Sequence, residues 1–220
     1  MRTAALLLLW TLFVLYPNPA HLLRSFNRAW FPPIEAQAVS QLATTLPDDP
    51  QAIERAVNDA LVQYAVPWKT YGLPWYFPTA AEALSNGQGD CQAQAIVLAS
   101  LLQAKGIPAT LVGSFDHLWV EYPGKRTTAQ ENGEIAIVRQ QADGTYRFRW
   151  PALTDWQTSW EIERAYFWDA MPVWRRFLLL GGGLILICRK CVWQYIGSLA
   201  SSCRWSDESR AMTGDGAEQA

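Results

Sequence analysis

The chain has 220 residues, 18 basic and 20 acidic, for a net charge of −2, which gives room for one domain with a hydrophobic core plus flanking sequence rather than for two catalytic domains. The near balance of charge leaves no basic footprint and excludes nucleic acid as a partner. Twelve tryptophans suit either a well-filled core or contact with a bilayer, and composition alone does not separate the two.

In chain order, the first element is the apolar run Ala4 to Tyr16 behind the single Arg2, about 20 Å long as a helix at ~1.5 Å per residue. It reads as a signal-peptide core or a short anchor. Ala20 suits the end of a cleavage site, but Asn18 stands where a small residue is wanted, which favours an uncleaved anchor. Pro32 and Pro33 break the chain. Ile34 to Leu46 and Gln51 to Tyr64 then read as helices, the second opened by Asp48-Asp49-Pro50, a start signal with proline in the first turn. Val66 to Phe77, rich in proline and aromatics, reads as an ordered loop, and Ser85 to Asp90 as a turn-rich lead-in. Cys91 to Lys105 is apolar on nearly every side and predicts the central buried helix, ended by Gly106 with Pro108 beyond.

Four strands are expected after it, at Ala109 to Ser114, His117 to Tyr122, Gly133 to Arg139 and Thr145 to Trp150, the last two joined by an Asp143-Gly144 turn. Asp155 to Ala170 reads as a helix leading to a second apolar run, Phe177 to Cys188, bracketed by Arg175-Arg176 and Arg189-Lys190. Its three glycines are costly in a soluble helix and tolerated in a membrane one. Helices followed by a meander predict an α+β domain over residues 32–170, behind a leader and linker at 1–31 and ahead of a candidate membrane segment at 171–200 and a disordered tail at 201–220. With both termini inside, the domain would face the extracytoplasmic side.

The domain holds one cysteine, Cys91, and one histidine, His117. A cysteine in the first turn of a helix meets the positive end of the helix dipole and unpaired N–H groups, so Cys91 is expected to be a thiolate below its ordinary pKa. Strand alternation places His117, Trp119 and Glu121 on one face and Leu118, Val120 and Tyr122 on the other. Asp90 reads as a helix cap, and His21, near Arg24 and Arg28, as an interfacial residue. The other three cysteines cluster at Cys188, Cys191 and Cys203. They form no disulfide framework, and Cys188-x-x-Cys191 lacks the second pair a zinc site needs.

Gly89-Asp90-Cys91, the helix ending Leu101-Leu102-x-Ala104-x-Gly106-Ile107-Pro108-Ala109, the strand His117-x-Trp119-Val120-Glu121, and the upstream Pro78 to Leu84 together resemble the core of the transglutaminase-like superfamily of papain-fold cysteine enzymes. That resemblance implies a papain-like domain with a central helix packed on an antiparallel sheet. It implies attack of the Cys91 thiolate on an acyl carbon, a thioester, and transfer to water or to an amine, with His117 as base and acid and no cofactor or metal. An acidic residue should orient the imidazole. The usual Asp-Pro is missing, and Glu131 lies nearest the expected spacing, with Glu134 and Asn132 as alternatives. The oxyanion hole would join the Cys91 N–H to a donor from the upstream loop, Trp75 or Gln88. The expected protein is a membrane-anchored, bacterial-type cysteine peptidase or amidase acting on a protein or peptide. Its rivals are an inactive binding or assembly module on the same fold, and a cross-linking acyltransferase.

Overall fold

The computed structural model describes residues 2–126, 128–141, 145–150 and 156–189. They form two compact units, one of Asn18–Pro172 and one that joins the described residues of 1–17 to those from Val173 onward. The expected Asp143-Gly144 turn, Cys191, Cys203 and the tail lie outside the described residues.

In the smaller unit, α1 (Arg2–Leu15) packs beside the last described helix, Val173–Arg189. The Trp10 indole N–H donates to the Leu178 carbonyl at 3.1 Å, and Arg175 donates to the Leu15 carbonyl at 3.3 Å. Leu8, Leu9, Phe13, Phe177, Leu184 and Ile185 stay exposed. Among the described residues no single helix is long and apolar enough to cross a membrane. Thr3–Leu15 with Pro19–Trp30, and Trp156–Asp169 with Val173–Arg189, reach the required length and hydropathy only as broken pairs.

The larger unit opens with α2 (Pro19–Trp30), capped by Asn18 and started on proline. Arg28 ties it down by a two-pronged ion pair with Glu82 at 2.7 and 3.2 Å and further bonds to the Tyr76 hydroxyl and the Phe77 carbonyl. The fully buried Ser25 hydroxyl accepts the Phe77 N–H. This helix, read from sequence as leader and linker, therefore packs within the domain. The expected helix at 34–46 shrinks to α3 (Ser40–Thr45). Pro32 and Pro33 keep the preceding chain irregular, and the Glu35 N–H is given to the Ser100 hydroxyl at 3.0 Å.

Next, α4 (Pro50–Ala56) is capped by Asp49 as the Asp-Asp-Pro signal predicts, then loosens into a π-turn at Val57–Leu61. The last residues of the expected helix instead form β1 (Gln63–Tyr64). The proline-rich loop contains one turn of helix, α5 (Pro67–Thr70). After it comes α6 (Ala80–Asn86), opened by a reciprocal Thr79/Glu82 capping box and closed by Gly87 at φ 62°. The short β2 (Gln88–Gly89) pairs in parallel with β1.

The central helix, α7 (Cys91–Ala104), follows at once. Ile96, Val97, Leu101 and Leu102 are fully buried, each worth roughly 2 kcal/mol of transfer free energy. They share a core with Leu111 and Val120 of β3 (Thr110–Gly113) and β4 (Leu118–Glu121). Next come β5 (Val138–Gln140) and β6 (Tyr146–Phe148), giving an antiparallel sheet of order β4-β3-β5-β6. The strand expected from Gly133 starts only at Val138, because Asn132 Oδ1 takes the Glu134 N–H and the Asn132 carbonyl takes that of Ile135, folding the segment into a tight turn. At the end of the unit, α8 (Trp156–Glu163) continues as a π-helical segment, Arg164–Asp169. The α+β class and the buried central helix are as expected.

Candidate active site

Tight local geometry presents Cys91. The parallel pairing Tyr64↔Gly89 draws β1 alongside the chain just ahead of the cysteine. Only glycine fits at 89, where a Cβ would stand 2.3 Å from that of Ala93. Asp90 then caps α7 by accepting the Ala93 N–H at 3.1 Å and leaves Cys91 in the first turn. Its other carboxylate oxygen accepts the hydroxyl of Tyr166, from the π-helical segment after α8. Asp90 is 1% exposed, and burial pushes its carboxyl up against the pull of these donors.

The Cys91 sulfur faces backbone N–H groups of Leu118, Gln92 and Cys91 itself. These stabilise a thiolate, as the helix-start argument expects. Burial opposes them, and so does the neighbouring Asp90 charge, and together they push the thiol up to about 12. The expected lowering of the thiol is thus not met: burial first, and then the charge of the capping Asp90, favour the protonated form.

The Leu118 N–H points at the sulfur, and His117 is the residue just ahead of that N–H, immediately before β4. Its Nε2 lies 3.3 Å from Glu131 Oε1, and its ring stacks on the buried Trp119 at 14° and 5.9 Å. Of the three sequence candidates for orienting this ring, Glu131 meets it, whereas Asn132 is spent on its own turn. Lys125 Nζ holds the second Glu131 oxygen at 3.0 Å and reaches Glu54 at 2.8 Å, and the Tyr122 hydroxyl donates to Glu54. Burial raises the Glu131 carboxyl, but the bonds to His117 and Lys125 outweigh it and hold the group below its ordinary value.

The two oxyanion candidates are placed differently. Trp75 donates its indole N–H to Gln92 Oε1 at 3.0 Å, which ties it one residue from Cys91 but occupies the donor. Gln88 lies in β2 opposite Gln63, and its side chain makes no hydrogen bond among the described residues. Sequence reading missed Lys125 and Glu54, whose roles depend on a contact between α4 and the loop after β4. It also missed Tyr166 and Tyr64. Tyr64, at the end of the stretch expected to be helical, stands in β1 near Cys91 and Asp90. His21 packs edge-on against Tyr76. Among the described residues no group of three or more His, Cys, Asp or Glu is arranged to hold a metal.

Cys91 at a helix start and His117, ahead of β4 and held by a carboxylate, are the residue types that a thiol nucleophile and its base require. Residues 36–142 match the family model described as the transglutaminase-like superfamily, and over those residues the chain is similar to that superfamily. Among curated proteins, none matches the chain.

Proposed function

We propose that the protein is a cysteine peptidase or amidase that cleaves an amide through a thioester, with Cys91 as nucleophile, His117 as base and acid, and Glu131 orienting the imidazole. The observation that carries this reading is the 3.3 Å contact of Glu131 with His117 Nε2, which leaves Nδ1 as the imidazole nitrogen open to the thiol. Because the resting sulfur is protonated, the proton leaves during attack. The S–C bond forms as Nδ1 takes the thiol proton and the carbonyl oxygen becomes an oxyanion; collapse breaks the C–N bond, with His117 returning the proton to the departing amine. Water, deprotonated by His117, then attacks the thioester and releases the acid and the thiol. The backbone N–H groups of Cys91 and Gln92 lie at the sulfur, and Trp75 becomes a third donor when Gln92 releases it.

The apolar helices α1 and Val173–Arg189 hold the domain at a membrane, on its extracytoplasmic face. At ~1.5 Å per residue neither covers a hydrocarbon layer of about 30 Å alone, so their exposed leucines and phenylalanines enter as a pair. Resistance to carbonate extraction tests the anchor, and protease access in right-side-out vesicles tests the side. For the chemistry, the full chain in detergent is incubated with peptide amides of a fluorogenic amine, with and without a fluorescent primary amine as second acceptor. Amine release that is lost in Cys91→Ala and His117→Ala is expected, along with a thioester adduct on Cys91 in acid-quenched samples. Label transfer to the acyl product would shift the assignment to cross-linking. Release unchanged in Cys91→Ala, or no adduct with any acyl donor, would leave the binding module.

A further inference from the structure

Beside the candidate site the fold leaves an open apolar cavity of about 230 Å³ between the sheet and the end of α2, lined by Trp30, Phe77, Leu118, Val138, Tyr146 and Phe148 among others. The register explains its walls. Gly113 pairs with Leu118 on one side and Val138 on the other, and Val138 pairs with Phe148, so these three side chains share one face of the sheet. Trp30 and Phe148 approach to 6.0 Å between ring centres, and each leaves more than half of its surface in water. Tyr146 belongs to the same lining, and its hydroxyl is buried with no hydrogen-bond partner among the described residues.

Leu118 connects this cavity to the chemistry. Its backbone N–H points at the Cys91 sulfur while its side chain forms part of the cavity wall. A chain laid along the edge of β4 with a carbonyl at Cys91 therefore has the cavity within reach of a neighbouring side chain. The volume falls below the ~300–1,000 Å³ of sites that enclose a whole small molecule and suits one bulky side chain. We infer that this cavity is the specificity pocket for a large aromatic side chain of the acyl-donor peptide, adjacent to the carbonyl that Cys91 attacks. The inference rests on the reading of Cys91 as nucleophile. Two half-exposed rings at the mouth close over the guest, and the Tyr146 hydroxyl offers a polar contact that favours a tyrosine-like tip over a plain aliphatic one.

The full chain in detergent is treated with two peptidyl chloromethyl ketones that differ only in the residue next to the electrophile, phenylalanine or glycine, each rate being corrected for reaction with free cysteine. The phenylalanine reagent is expected to alkylate Cys91 at least tenfold faster. In Ala29→Trp, which fills the cavity, and in Phe148→Ala, which removes one side of its mouth, the ratio should fall toward one. Because a ratio is read, general changes in thiol reactivity cancel, and the second variant serves if the first does not fold. Equal corrected rates on an alkylated Cys91, or a ratio unchanged in both variants, overturn the pocket and leave the nucleophile standing. A fatty-acyl electrophile outpacing the phenylalanine peptide would assign the cavity to lipid instead and overturn it as well. If Cys91 resists both peptides and also iodoacetamide, the nucleophile reading fails and takes this inference with it.

Discussion

Replacing Glu131 by glutamine isolates the electrostatic work of the ion cluster beside His117. Glu54 and Glu131 contribute two negative charges and Lys125 one positive charge, so the cluster carries one negative charge in excess while the imidazole is neutral. It becomes balanced when His117 takes the thiol proton. Glu131→Gln keeps the shape and a hydrogen-bonding group but removes that driving force. At 3.3 Å and an effective dielectric constant of about 20, the lost attraction is about 5 kcal/mol. His117 and Glu131 keep 26% and 19% of their side-chain surfaces in water, so we take roughly 3 to 5 kcal/mol, equivalent to about two to four decades in rate. The assay is acylation of Cys91 by a p-nitrophenyl ester, followed by nitrophenolate release and by adduct mass. Denaturant unfolding of the same samples checks that the fold is retained. Acylation of the folded variant within threefold of the parent rate would refute the argument, since the carboxylate would then be a surface ion pair without a part in proton transfer.

Lys125→Met leaves two carboxylates facing each other in a largely buried setting and should destabilise the domain by about 3 kcal/mol, read as a lower urea midpoint, with a smaller loss below pH 4 where carboxylates protonate. Asp90→Asn retains a side-chain acceptor for the Ala93 N–H and removes the charge that opposes the Cys91 thiolate. Iodoacetamide labelling at pH 8 should therefore speed up several-fold, and an unchanged rate would show that burial alone sets the thiol. In the parent chain, the raised Cys91 pKa means that the folded state holds its proton more tightly than the unfolded one, whose thiol titrates near 9. Its stabilising contribution is full below that pH and declines as pH rises toward about 12, so alkylation should keep accelerating well past pH 9. Arg28→Met removes the two-pronged bond to the partly exposed Glu82 and should cost about 1 to 2 kcal/mol at pH 7. Because that bond and the Thr79 cap hold the Glu82 carboxyl below its ordinary value of 4.5, the difference between parent and variant should shrink as pH falls through that range. Equal differences at pH 7 and pH 3.5 would count against this account.

The positions of the cysteine, the central helix and the histidine strand were legible in the sequence because each depends on local rules. Asp90 caps, Gly106 ends the helix, the run from Ala93 to Leu102 is apolar on nearly every side, and β3 and β4 are consecutive strands. Glu131 was a candidate only through the spacing that the family resemblance implied, beside Glu134 and Asn132. What the tertiary structure decided lies in contacts between residues distant along the chain. The upward push on the Cys91 thiol comes first from its own burial and then from Asp90, which is held by Tyr166, 76 residues later, a desolvation that no helix-start rule contains. The clamp on Glu131 needed Glu54, 71 residues before Lys125. Helical periodicity at Gln51 to Tyr64 gave way where Gln63 and Tyr64 found strand partners in β2, and α2 entered the domain because Glu82 was there to receive Arg28. Sequence fixes what a residue can do and which local element it prefers. Charge state and choice among candidate partners depend on the dielectric and the neighbours that only the folded chain supplies.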